Sequence, residues 1–104
     1  MKYKKISITK STQWLFKWQT QLRLLDWKIS FQRISIFQVS DDYCRVGNQF
    51  VGISQNRHQQ TATIHHTRHL TEEDIVHELL HVRYPKWSEE QVNTHTAFLL
   101  NLIN

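Results

Sequence analysis

One cysteine, Cys44, stands among the 104 residues, so an internal disulfide is excluded. No apolar run approaches the roughly 20 residues needed to span a bilayer, so no membrane partner is expected. The opening Met1-Lys2-Tyr3-Lys4-Lys5-Ile6 is basic and lacks the apolar core of a secretory leader. A cytoplasmic setting is the expectation that follows. There is no internal repeat and no low-complexity segment. The charge is +4 with a pI near 9.5, yet the 13 Lys and Arg residues are dispersed from Lys2 to Lys86. Without a dense basic tract or a known nucleic-acid motif, nucleic acid is not the expected partner.

Hydrophobic residues make up 39% of the chain and aromatics 12%, enough for one modest core and one domain over residues 1–104. Trp14, Leu15, Trp18, Leu22 and Leu25 recur at spacings of three and four. They predict a helix over about 12–25 with Ser11 as its cap. The period then changes. Trp27, Ile29 and Phe31 alternate with polar residues, as in a half-buried strand. Ile34 and Ile36 continue in the opposite phase, which predicts a bulge near Gln32-Arg33. Ser40-Asp41-Asp42 is a turn signal. Residues 43–54 read as a second strand, interrupted by Gly47-Asn48, and residues 61–65 as a third.

Thr71 begins a helix, with Glu72, Glu73 and Asp74 in its first turn, where carboxylates complement the helix dipole. Pro85 ends it. Ser88 caps a last helix, with Gln91 at the capping-box position. The order of elements is helix, three strands, helix, helix. It predicts an α+β fold: an N-terminal helix, a small and mostly antiparallel three-stranded sheet, then two helices covering one face.

The helix after Thr71 carries His77-Glu78-Leu79-Leu80-His81. Positions i and i+4 share a helix face, so His77 and His81 can aim two imidazole nitrogens at one metal ion. Glu78 is rotated by about 100° and is better placed to act on a water than to bind the ion. A catalytic zinc site commonly adds a third protein ligand, and Glu89, Glu90 and His95 are the candidates that follow. On the last helix Val92, Thr96, Leu99, Leu100 and Ile103 fall on one side, and Glu89 belongs to it. Glu90 is rotated away, and His95 sits at the margin. Asn93, one turn beyond Glu89, is placed to orient a ligand histidine.

His77-Glu78-Leu79-Leu80-His81 followed by Glu89 and then Asn93 resembles the gluzincin metallopeptidases. The chain length and element order are similar to those of the minigluzincins, as is Asp26-Trp27-Lys28-Ile29 entering the first strand. Only residues 77–93 carry specific motif content. The resemblance implies a Zn²⁺ ion held by His77, His81 and Glu89, and Glu78 as general base toward a zinc-bound water in peptide-bond hydrolysis. Two features depart from the larger enzymes. Only seven residues, Pro85 among them, separate His81 from Glu89, so Glu90 is the ligand if that connection cannot turn. The supporting residue is Asn93 rather than an aspartate. The resemblance also implies an oxyanion-stabilising Tyr or His, for which Tyr84, His95, His65 and His66 are the candidates, and a substrate-aligning edge, for which the strand at 61–66 is expected.

Two rival expectations stand beside this one. The chain can hold zinc without catalysing hydrolysis, or be latent through self-association. Alternatively it is a nucleic-acid- or protein-binding module on the same fold, with four tryptophans and a basic charge as its means.

Overall fold

The computed structural model describes residues 9–35 and 50–101. Their order is α1 (Lys10–Gln21), β1 (Lys28–Arg33), β2 (Val51–Asn56), β3 (Thr61–His66), α2 (Glu72–Arg83) and α3 (Glu89–Leu99). This is the α+β layout that the sequence pattern predicts. The turn at Ser40-Asp41-Asp42, the strand residues 43–49 and Cys44 lie outside the described residues, as do Ile36 and Ile103.

Helix α1 starts on Thr9, whose side chain accepts from the Thr12 amide, so the cap lies two residues before Ser11. The helix stops at Gln21, short of the predicted 25. Arg23 adopts φ 59°, its N–H reaches the Thr20 carbonyl, and the Leu24 N–H reaches the Gln19 carbonyl at 2.7 Å. That pair of bonds is a Schellman closure. Its left-handed position usually carries glycine, and an arginine there hides the stop from a sequence reading. Leu15, Trp18 and Leu22 are buried, while Leu25, beyond the stop, is exposed. Arg23→Gly is expected to raise stability by about 1 kcal/mol by relieving the left-handed Cβ, as measured by denaturant unfolding. Buried Gln19 then donates to the Leu24 and Trp27 carbonyls, both at 2.9 Å, and so sets where β1 begins.

The sheet has the order β1-β3-β2. Strands β2 and β3 form an antiparallel hairpin, with Ile53 opposite Ile64. Strand β1 runs parallel to β3, with Phe31 opposite Ile64. The sheet is therefore mixed, with one antiparallel and one parallel pair, where the sequence pattern predicts a mostly antiparallel one. Periodicity reports which face of a strand is apolar, but a parallel neighbour has the same alternation as an antiparallel one. The predicted bulge is absent, because the β1–β3 register is unbroken from Lys28 to Arg33 and the phase change falls where the strand ends. The hairpin turn crosses residues 57–60, with Gln60 at φ 56° and the Asn56 side chain accepting from the Gln59 amide.

Helix α2 is the centre of the core. Ile75, Val76, Leu79 and Leu80 are fully buried, and the helix lies between α1, α3 and the sheet. Its start is fastened twice. Thr71 and Asp74 form a capping box, and Arg68 makes a two-pronged bond to Asp74 at 2.6 and 2.8 Å. Glu72 accepts from Trp18 Nε1 at 2.7 Å and from Lys17 Nζ at 3.0 Å, which ties α1 to α2. Ser88 and Gln91 form the predicted capping box on α3. Among the described residues no helix is long and apolar enough to cross a membrane.

Candidate metal centre

Burying two sides of α2 leaves one strip of it uncovered. His77 and His81 stand on that strip, one turn apart and partly buried, with their Nε2 atoms 3.2 Å apart. The chain then turns sharply. The Tyr84 N–H bonds the Leu80 carbonyl at 2.8 Å, and the Trp87 N–H bonds the Tyr84 carbonyl at 3.0 Å, with Pro85 inside the turn. Pro85 cannot continue a helix, so it helps make the reversal that brings α3 back. Glu89, the first residue of α3, thereby meets both rings. Its Oε1 lies 2.5 Å from His81 Nε2 and its Oε2 lies 3.2 Å from His77 Nε2. The seven-residue connection is long enough. Glu90 faces elsewhere, lining a separate cavity with Trp87, Gln91, Thr94 and His95.

The donor set suits a divalent cation. One atom from each of the three residues can be chosen so that all lie within 4.8 Å of one another. Ligands about 2.0–2.2 Å from a tetrahedral zinc stand roughly 3.3–3.5 Å apart, close to the separation of the two imidazole nitrogens. Each Nε2 faces its own Glu89 oxygen, so the three side chains present a compact donor set of two nitrogens and a carboxylate that could take a cation.

Glu78 lies next to this cluster and outside it. It is 6% exposed, whereas Glu89 is 67% exposed at its side chain. Burial pushes the Glu78 carboxyl up to about 8, with the negative charges of Glu89 and then Asp74 adding to the shift. Asp74 moves the other way. Burial raises it, but bonds from Arg68 and Thr71 outweigh that and hold it below the usual carboxylate value. Glu72 is likewise held down, the Trp18 and Lys17 hydrogen bonds outweighing its burial.

The three residues and Glu78 open on a cleft of about 810 Å³ whose other wall is β2, through Val51, Ile53 and Gln55. This corrects the expected substrate edge. Strand β3 is central, with β1 and β2 on its two sides, so its backbone has no edge to offer. Full burial of Ile64 is the packing sign of that central place. Strand β2 is the edge beside the cleft, and no strand among the described residues pairs with its other side. Its signal was weak, because Ser54-Gln55-Asn56 is polar and resembles a loop.

The supporting roles differ as well. Asn93 is exposed and bonds neither histidine. None of the four candidates for stabilising an oxyanion lines the cleft. Tyr84 stacks on Trp87 at 4.0 Å, and His95 packs edge-on against Trp87. His65 pairs with Ser54 on the opposite face of the sheet, and His66 Nδ1 is engaged with the Arg68 carbonyl. Compared with family models, with curated proteins and with solved structures, the chain finds no match.

Proposed function

We propose that this chain is a zinc metallopeptidase of the gluzincin type, with His77, His81 and Glu89 as ligands and Glu78 as general base. The observation that carries the reading is the convergence of two imidazole nitrogens and a carboxylate in an open cleft, beside a buried glutamate. Each part has a reason to be there under this reading. An extended peptide can add to the side of β2 that no described strand pairs, which gives the substrate a backbone register without requiring a large protein. His77, His81 and Glu89 would hold the zinc ion, which when bound would supply Lewis acidity toward a water and the scissile carbonyl. Glu78 does the proton work. Its carboxylate takes the proton that the attacking water gives up and passes it to the leaving amine nitrogen. Burial makes it a stronger base than an exposed glutamate. A cytoplasmic location belongs to the same proposal and is supported by a chain whose single cysteine permits no internal disulfide.

Elemental analysis of the purified protein tests this first. Close to one zinc per chain is expected, together with zinc-dependent cleavage within a peptide library. Stoichiometric zinc with no cleavage across protein concentrations would favour a non-catalytic zinc module. Absence of zinc, with salt-sensitive binding to DNA, would overturn the metal reading in favour of a binding module.

A further inference from the structure

We propose that Gln55 is a further catalytic residue of this cleft, its side-chain amide donating to the scissile carbonyl oxygen as negative charge develops there. The assignment rests on the peptidase reading above. Hydrolysis of an amide concentrates charge on that oxygen, and a positioned donor aimed at it is worth far more than one recruited from water. Apart from the three proposed ligands and Glu78, the cleft is lined by Phe50, Val51, Gly52, Ile53, Pro85 and Gln55. Five of these have no polar side-chain atom. Among the described residues, Gln55 is the one in this group whose side chain can donate.

Gln55 is exposed, and its neighbour decides which end of its amide faces the cleft. Arg57 Nη1 donates to Gln55 Oε1 at 2.7 Å. A guanidinium has donors only, so the amide oxygen must face Arg57 and the NH₂ must face away from it. There Nε2 lies 3.5 Å from the carbonyl oxygen of His81, a proposed ligand. That contact is at the outer limit for a hydrogen bond, and Nε2 carries two hydrogens, so donor capacity remains. Arg57 is itself held. Its Nη1 also donates to the Val82 carbonyl at 3.0 Å, and its guanidinium lies 5.1 Å from the ring centre of Trp27, which is buried. Trp27 and the end of α2 thus steady Arg57, and Arg57 steadies the amide. Arg57 is a positioning residue in this scheme. Gln55 also sits on β2, the strand proposed to align the substrate, so donor and substrate register are set by one element.

The test uses the zinc-loaded chain with a peptide that it cleaves and a phosphinic peptide of the same sequence, which presents a tetrahedral anion. Gln55→Ala is expected to lower kcat by about 10²-fold with KM changed by less than about threefold. Affinity for the phosphinic peptide falls by a similar factor, while affinity for the product peptides and the zinc content are unchanged. Gln55→Glu, which keeps the shape and places a carboxylate against the charge, loses at least as much. Arg57→Ala lowers kcat by about tenfold in the wild-type background and has no further effect in Gln55→Ala, as a residue acting through Gln55 must. If Gln55→Ala keeps both kcat and phosphinic-peptide affinity within about threefold, the assignment falls and the peptidase reading stands. If the wild-type chain neither cleaves peptides nor binds the phosphinic peptide, the peptidase reading falls and takes this assignment with it.

Discussion

Glu78→Gln is expected to leave zinc bound at full level and to lower kcat by about 10²–10⁴-fold, the range for losing a general acid–base group. The substitution keeps the shape of the side chain and removes its basicity. Glu78 stands outside the cluster formed by His77, His81 and Glu89, so the ion has no reason to leave. His77→Ala provides the contrast. It removes one of the three converging groups, and both zinc and hydrolysis should be lost. The two variants together separate binding from chemistry, with zinc read by elemental analysis and cleavage by peptide hydrolysis. Folding is checked by circular dichroism, since the His77 side chain is only 20% exposed. Full zinc retention in His77→Ala would overturn the ligand set. Undiminished cleavage in Glu78→Gln would overturn the general base.

The helical half of this arrangement was legible in the sequence because helix signals are local. Thr71 with Asp74 and Ser88 with Gln91 are caps that a short window reveals, and the i, i+4 spacing of His77 and His81 fixes their common face. The choice of Glu89 over Glu90 was also available, from the phase of Val92 and Thr96, both of which are buried. What failed depended on distant partners. Which strand is central is decided by pairing across the chain, so the sequence pattern does not reveal that β3 lies between β1 and β2 and offers no edge. The same limit hid Gln55. In sequence it is a polar residue in a polar run, and only the Arg57 guanidinium and the facing end of α2 give its amide a direction. Tyr84 and His95 looked available because aromatic stacking with Trp87 leaves no local mark. At Arg23 a local signal was missing, since the helix stop uses a residue that ordinarily avoids that conformation.

Metal-free protein should lose stability as the pH rises from about 5 to about 8, and Glu78→Gln should remove that loss. An unfolded glutamate titrates near 4.5, whereas burial first, and then the charges of Glu89 and Asp74, push folded Glu78 up to about 8. Between these values the folded state binds the extra proton, so stability falls with increasing pH. The contribution is complete below the unfolded value and is gone once the pH has passed through the folded one. Across the whole window it amounts to on the order of 4 kcal/mol, a large part of the stability of a domain this size. Asp74 and Glu72 act at the acid end with the opposite sign. Their folded values are lowered, so the stability they contribute is lost as the pH falls below the ordinary carboxylate range. The metal-free chain is therefore expected to be most stable near pH 4–5. Urea unfolding at pH 5 and pH 8, with a chelator present, measures the slope directly. A wild-type midpoint that does not fall over this interval, or an equal fall in Glu78→Gln, would show that the proton is not held at Glu78. Adding zinc at pH 8 should restore more stability than mass action at an isolated surface site gives, because the cation also relieves the charge that Glu89 and Glu78 impose on each other. The residue proposed to move the proton in hydrolysis is thus the one that limits the metal-free fold, which couples zinc occupancy to persistence of the folded chain.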